Sequence, residues 1–380
     1  MSDSLLTYRI ALSLLPGVDA STVGELIAVF GSERGVIEAM ESEMKAIPGL
    51  PKSLVSTQTR FKALETARTE TEYLATTSIT PIWCTDELYP ANMRGMVGAP
   101  LMLYTAGKTD FSYRPVVSIV GTRHATPYGI SFTERLVAEL AEANPETIIV
   151  SGLAYGIDIA AHRAALKAGL STVAVVAHGL STIYPAAHRE VASRMVVAGG
   201  AVLTEYLHDI SPLRPHFLAR NRIIARVASA VVVVESSEKG GALSTVRHAV
   251  TAHRPVFALP GRVTDMYSAG CNKLISDGVA SLLTSADTII DALGWPRSEK
   301  SEAASPSASP LDGLNAEEVG ILRAIAMEPA ADNDYITAVT SIQPHVLMAY
   351  LIGLEMKGLI SSVAGNRYHL QIPFDINSKP

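Results

Sequence analysis

The residues best able to do chemistry in this chain lie between Arg214 and Arg226, a segment with four arginines, one histidine and no acid. It reads Arg214-Pro215-His216-Phe217-Leu218-Ala219-Arg220-Asn221-Arg222-Ile223-Ile224-Ala225-Arg226. As the start of a helix it sets Arg220, Arg222 and Arg226 about one turn apart, with Phe217 beside them. Arginine neutralises phosphate whatever the sequence, and an aromatic face stacks on any base, so the combination suits sequence-tolerant binding of a single strand. Taken alone, the segment serves equally as a solvated face above buried Ile223 and Ile224, with Phe217 in the core.

Glycine-bearing loops add anion sites. Gly121-Thr122-Arg123 follows the apolar run VVSIV; Gly121 permits a tight turn, and Arg123 projects a planar cation that suits a phosphate. Ser151-Gly152-Leu153-Ala154-Tyr155-Gly156-Ile157-Asp158 follows another apolar run and opens a helix carrying Arg163, so its amides can cradle an anion. The loop from Gly179 contributes Tyr184 and Arg189, and Lys239-Gly240-Gly241, after Glu235, opens a further helix as a phosphate nest.

Several chemistries are excluded by spacing. A dinucleotide site requires GxGxxG with an acid about 20 residues later, and neither occurs, so no nicotinamide cofactor is expected. Gly107-Lys108-Thr109 copies the tail of a P-loop, but Met102 stands where the first glycine belongs, and ATP hydrolysis is not expected. The two cysteines, Cys84 and Cys271, lack zinc-ligand spacing, which predicts no metal and a reduced, cytoplasmic protein. Asp3 and the early break at Pro16-Gly17 argue against a signal peptide, and no apolar run reaches the roughly 18 residues of a membrane span.

Loops of this kind sit at the carboxyl ends of parallel strands. From Pro115 onward the sequence supplies such strands: apolar runs at 116–120, 147–150, 172–177, 201–206, 230–235 and 255–260, spaced by amphipathic helices such as 129–142 and 158–168. Runs of that length predict a parallel sheet covered on both faces, an extended Rossmann-like α/β domain over 80–295. Residues 1–75 read as short helices broken by Pro-Gly turns, a helical domain of helix-hairpin-helix (SAM-like) type whose alternative is a plain packing domain. Residues 296–312 are rich in Ser, Ala and Pro and read as a flexible linker, followed at 313–374 by three helices and a hairpin, a winged-helix domain. A length of 380 residues, 48% of them hydrophobic, accommodates these parts. The net charge of -6 requires any nucleic-acid site to be a local patch.

In order, SIVGTR (118–123), SGLAYGIDIAAHRAAL (151–166), HGLSTIYPAAHRE (178–190), LTEY (203–206), FLARNRIIA (217–225), GGALSTVRHA (240–249), ALPG (258–261) and SAGCNKLISDG (268–278) resemble the motif series of the DNA-processing protein A (DprA/Smf) family. The resemblance implies an extended Rossmann fold that binds single-stranded DNA and forms a homodimer. It also implies loading of a RecA-type recombinase onto DNA coated by single-strand-binding protein, in natural transformation and recombination, with no enzymatic turnover. Carried over by motif, Arg123 is the leading phosphate contact. Arg214, Arg220, Asn221 and Arg222 follow, with Phe217 for stacking and Lys239, Gly240 and Gly241 as a nest. Gly121, Thr122, Ser151, Gly152, Arg163, Arg189 and Asn272 complete the expected DNA-binding set. The chain has Phe217-Leu218 where the family usually has Phe-Pro, and Tyr155 where a small or basic residue is common; neither departure removes a cation.

Two rival readings stay open. Nucleotide phosphoribohydrolases of related fold carry Pro-Gly-Gly-x-Gly-Thr-x-x-Glu, whereas Gly240 to His248 here has one extra residue and no closing Glu. A purely structural adaptor would leave the arginine cluster without a role. The C-terminal helix near 344–357 offers only His345 and Lys357 against Glu355, too little charge for tight duplex binding, which points to a protein contact.

Overall fold

The computed structural model describes residues 4–108, 110–111, 114–297, 314–328, 331–363 and 367–371. Six helices open the chain: α1 (Leu5–Ser13), α2 (Ala20–Phe30), α3 (Glu33–Glu38), α4 (Glu41–Lys45), α5 (Lys52–Val55) and α6 (Thr57–Ala75). Most are too short to persist alone. Burial against one another holds them, around Ile10, Leu12, Leu26, Ile37, Leu54 and Leu64. Arg60 lies fully inside this cluster and donates to the carbonyls of Ile37 (2.9 Å), Val55 (2.8 Å), Leu54 and Ala39, so one guanidinium serves the carbonyl ends of two short helices.

The helices were expected as a domain of their own, but their core runs on into Trp83, Leu101, Met102 and Tyr104. Met1–Lys300 accordingly forms one unit, and Ser301–Pro380 a second. Apolar positions on the first two strands, facing the helices, account for the merger.

The first unit is built on a nine-stranded sheet. Its strands are β1 (Thr80–Trp83), β2 (Met102–Gly107), β3 (Val116–Val120), β4 (Ile148–Ser151), β5 (Thr172–Val175), β6 (Ala201–Thr204), β7 (Ala230–Val233), β8 (Val256–Ala258) and β9 (Ser281–Leu282). The order is β1-β2-β6-β5-β4-β3-β7-β8-β9. From β6 to β9 every pairing is parallel. The sheet is nevertheless mixed: β2 runs antiparallel to β6, and β1 antiparallel to β2, so these two strands cover an edge of β6 that would otherwise be open.

Strands β3 to β8 are buried along their whole length, as their unbroken apolar runs require. Alternate residues serve opposite faces. Val117 and Ile119 pack with α7 (Pro127–Ala143), α8 (Ile157–Ala168) and α13 (Ala286–Leu293). Val116 and Val120 pack with α10 (Arg214–Val227), α11 (Ala242–Thr251) and α12 (Ala269–Ser276). The remaining helix, α9 (Arg189–Val197), covers β5 and β6. From β3 the chain moves outward through β4, β5 and β6, then returns through α10 to place β7 on the other side of β3. This reversal opens a crevice at the carboxyl ends of β3 and β7.

The second unit contains helices Ala316–Met327, Asn333–Thr340 and Pro344–Met356. Its antiparallel sheet, ordered β10-β12-β11, comprises β10 (Ala331–Asp332), β11 (Ile360–Val363) and β12 (Arg367–Leu370). Ile321, Leu322, Ile336, Leu351 and Leu354 form its core. The hairpin turn expected at 364–366 and all but the first two residues of the expected linker lie outside the described residues. Among the described residues, no single helix is long and apolar enough to cross a membrane.

Candidate functional site

A cavity of about 740 Å³ lies at the crevice between β3 and β7. Its walls come from the loop after β3 (Gly121, Thr122, Arg123), the loop after β7 (Ser236, Ser237, Lys239, Gly240 and Gly241), Tyr184, and one face of α10. That face carries Arg214, Phe217, Leu218, Asn221 and Ile224, the spacing of residues that share one side of a helix. Neither α10 nor α11 has a side-chain cap, so both present open N-termini where Arg214, Gly241 and Ala242 line the cavity. The unpaired amides and helix dipoles there favour an anion.

Arg123, Arg214 and Lys239 are solvent-exposed and reach the cavity from three different elements. The guanidinium carbon of Arg123 stands 5.4 Å from the centre of the half-buried Phe217 ring. Tyr184 meets that ring edge-on at 5.9 Å and 61°. The Tyr184 backbone N–H donates to His178 Nε2 (3.1 Å), while His178 Nδ1 donates to the Gly179 carbonyl (2.8 Å). Burial lowers the pKa of His178, favouring the neutral ring that accepts from Tyr184.

Gly121 and Thr122 support Arg123. A Cβ at Gly121 would stand 2.5 Å from Ile157 Cγ1, so only glycine lets β3 meet the start of α8 there. The Thr122 N–H donates to the Glu235 carbonyl (2.7 Å), and the Thr122 carbonyl accepts from Ile157 N (3.2 Å). Expected as a DNA contact, Thr122 has its amide engaged within the protein. The Glu235 carboxylate is buried and turned away, accepting from Thr126 N (2.9 Å) and Thr126 Oγ1 (2.5 Å) at the start of α7.

Other expected contacts form the floor or lie elsewhere. Arg220 is only 4% exposed; it donates to the carbonyls of Gly152 (2.9 Å) and Val175 and stiffens the cavity from below. Burial lowers its pKa to about 10, with Asp158 opposing the shift. Asp158 itself is raised by burial, against the pull of Arg220. A Cβ at Gly152 would come within 2.5 Å of the Arg220 guanidinium, so this glycine makes room for that side chain and is no anion cradle. Ser151 is buried, its hydroxyl donating to the Ile119 carbonyl (2.6 Å).

Arg222 leaves the cavity altogether and pairs with Glu205. Asn272 is likewise outside the lining, its amide accepting from Gly261 N (3.1 Å) and donating to Gly261 O (2.9 Å). Arg163 and Arg189 are exposed on α8 and α9, apart from the lining. The structure therefore brings Gly121, Thr122, Arg123, Arg214, Phe217, Asn221, Lys239, Gly240 and Gly241 together around one cavity with Arg220 beneath. Among the described residues the one carboxylate in the lining is Asp158, which is buried. The sequence offered no signal for His178 as the prop behind Tyr184.

The model of the family described as DNA recombination-mediator protein A matches residues 80–294. The chain is 40% identical over 263 residues to a putative DNA processing protein DprA of Mycobacterium tuberculosis, covering 69% of this chain and 66% of that protein, just under two thirds of its length. It is 39% identical over 205 residues to the DNA processing protein DprA of Streptococcus pneumoniae, covering 54% of this chain and 71% of that one. Among solved structures it resembles that of Streptococcus pneumoniae DprA, with a TM-score of 0.64 and 30% identity across 77% of this chain and 98% of the other. It also resembles the Helicobacter pylori DprA structure that describes a single-stranded DNA binding mode, with a TM-score of 0.50 and 32% identity across 57% and 95% of the two chains.

Proposed function

The chain belongs to the DNA recombination-mediator protein A family, DprA/Smf, and from that membership we propose that it binds single-stranded DNA in the cavity between β3 and β7. One observation carries the reading: Arg123, Arg214 and Lys239 converge with the half-buried Phe217 in one cavity whose only lining carboxylate among the described residues is buried. Cations track a strand's phosphates, and the aromatic face takes a base of any identity. Duplex DNA keeps its bases stacked inside, where Phe217 cannot reach them. Ser151, Gly152, Arg220 and Thr122 shape the site, and Arg123, Arg214, Phe217, Asn221, Lys239 and Gly241 touch the strand.

The reading extends to partners. Membership supports a homodimer that protects incoming DNA and delivers it to a RecA-type recombinase in the presence of single-strand-binding protein. It also supports a binding protein without catalytic turnover. We read the six opening helices as of helix-hairpin-helix (SAM-like) type and the second unit as a winged helix. The exposed Val346, Met348 and Ile352 on its last helix fit a protein contact better than a DNA groove.

Photocrosslinking tests the site itself. A dT strand carrying 4-thiothymidine should attach to peptides holding Phe217 or Tyr184, with yield falling as salt rises. Crosslinks confined to the second unit would move the site away from the cavity.

A further inference from the structure

Segment 205–213 joins β6 to α10, so its conformation fixes where α10 begins and where Arg214 and Phe217 stand. It is gripped from two sides. From the loop that carries Tyr184, Ser181 Oγ donates to the His208 carbonyl (2.6 Å) and Gly179 N donates to the Ile210 carbonyl (2.8 Å). From α6 comes Glu70, whose side chain is 2% exposed. Its carboxylate accepts the His208 backbone N–H, 3.2 Å from each oxygen, and the His208 Nδ1–H at 2.5 Å. Tyr73, one turn further along α6, stacks on the imidazole at 3.8 Å and 14°.

Among the described residues Glu70 accepts hydrogen bonds from His208 alone. A buried carboxylate is a poor source of stability, and an apolar residue of similar size usually serves a core as well. What it supplies here is geometry: two donors of one residue are held by one carboxylate, and the ring above allows a single orientation. We propose that Glu70 and His208 are positioning residues for the cavity, through which the opening helices set the placement of α10 and hence the affinity for the strand. This inference rests on the single-strand reading above.

The test uses the full chain and a labelled dT strand. Glu70→Ala and His208→Ala should each weaken binding roughly tenfold, the scale of a misplaced stacking contact, and the double variant should lose no more than either single one. Amide hydrogen exchange over 205–217 should quicken in all three. His208→Asn keeps a side-chain donor and should restore most of the affinity, whereas His208→Phe keeps the stacking on Tyr73, loses the donor and should bind weakly. Unchanged affinity in folded Glu70→Ala and His208→Ala, or His208→Phe binding better than His208→Asn, overturns the proposal while leaving strand binding intact. Absence of binding by the unaltered protein overturns the reading beneath it.

Discussion

Arg123 lies over the Phe217 ring in one cavity, the guanidinium carbon 5.4 Å from the ring centre. A base that stacked on the ring would displace the guanidinium from it and leave the cation for the phosphate. Arginine reaches that position because Gly121 lets the loop after β3 pack against Ile157. Phe217 reaches it because it shares a helix face with Arg214 and Asn221.

Phe217→Ala should therefore cost about 1–3 kcal/mol of strand affinity, the usual worth of one stacked base, with the melting temperature nearly kept. Equilibrium binding beside thermal melting checks both halves. A large fall in melting temperature would instead place the ring in the core.

Arg220 and Arg222 should part company. Arg220→Ala removes the donor from the Gly152 and Val175 carbonyls in a buried site and should cost roughly 3 kcal/mol of stability, measured by urea unfolding. Arg222→Ala breaks the pair with Glu205 outside the cavity and should leave the salt dependence of strand binding unchanged. A slope reduced by about one unit would return Arg222 to the phosphate contacts.

Gly152→Ala should mimic part of the Arg220 loss. Its new methyl would stand 2.5 Å from the guanidinium, and overpacking of that kind costs about 1–3 kcal/mol. Stability equal to that of the unaltered protein would show that Arg220 has another place to go.

Acid should destabilise the protein through its buried histidines. His162 is fully buried, its Nδ1 2.7 Å from Thr172 Oγ1, and burial lowers its pKa to about 3. The unfolded chain, with an ordinary value near 6.5, binds the proton first. The stabilisation from a neutral His162 is therefore complete above about pH 6.5 and declines as pH falls towards the folded value, by at most about 1.4 kcal/mol per unit. His178 acts in the same direction. His162→Gln should flatten the stability profile between pH 6.5 and 4; an unchanged slope would assign the acid sensitivity to other groups.

Much of this was legible in the sequence. The central strands appear as apolar runs because parallel strands are buried on both faces, and Arg123, Arg214 and Lys239 stand in loops or at helix starts, where exposed cations are free to act. Harder to read were β1 and β2, because β1 joins the sheet through β2 and the pairing of β2 with β6 depends on residues about 100 positions away. The arginines of α10 misled for a simple reason: residues two apart on a helix do not share a face. Arg220 thus turns beneath the cavity while Arg222 turns to Glu205, an acid in another segment. Asn272 looked like a DNA contact, yet its amide closes on the Gly261 backbone, a relation no local pattern reveals.

The most direct test of the central claim is fluorescence anisotropy of a labelled dT strand and its duplex across a salt series, with the unaltered protein and Arg123→Ala. The account predicts tighter binding of the single strand with a steep salt dependence, and for Arg123→Ala a weaker affinity whose slope falls by about one unit. Equal affinity for strand and duplex, or a folded Arg123→Ala protein that binds unchanged, would contradict it.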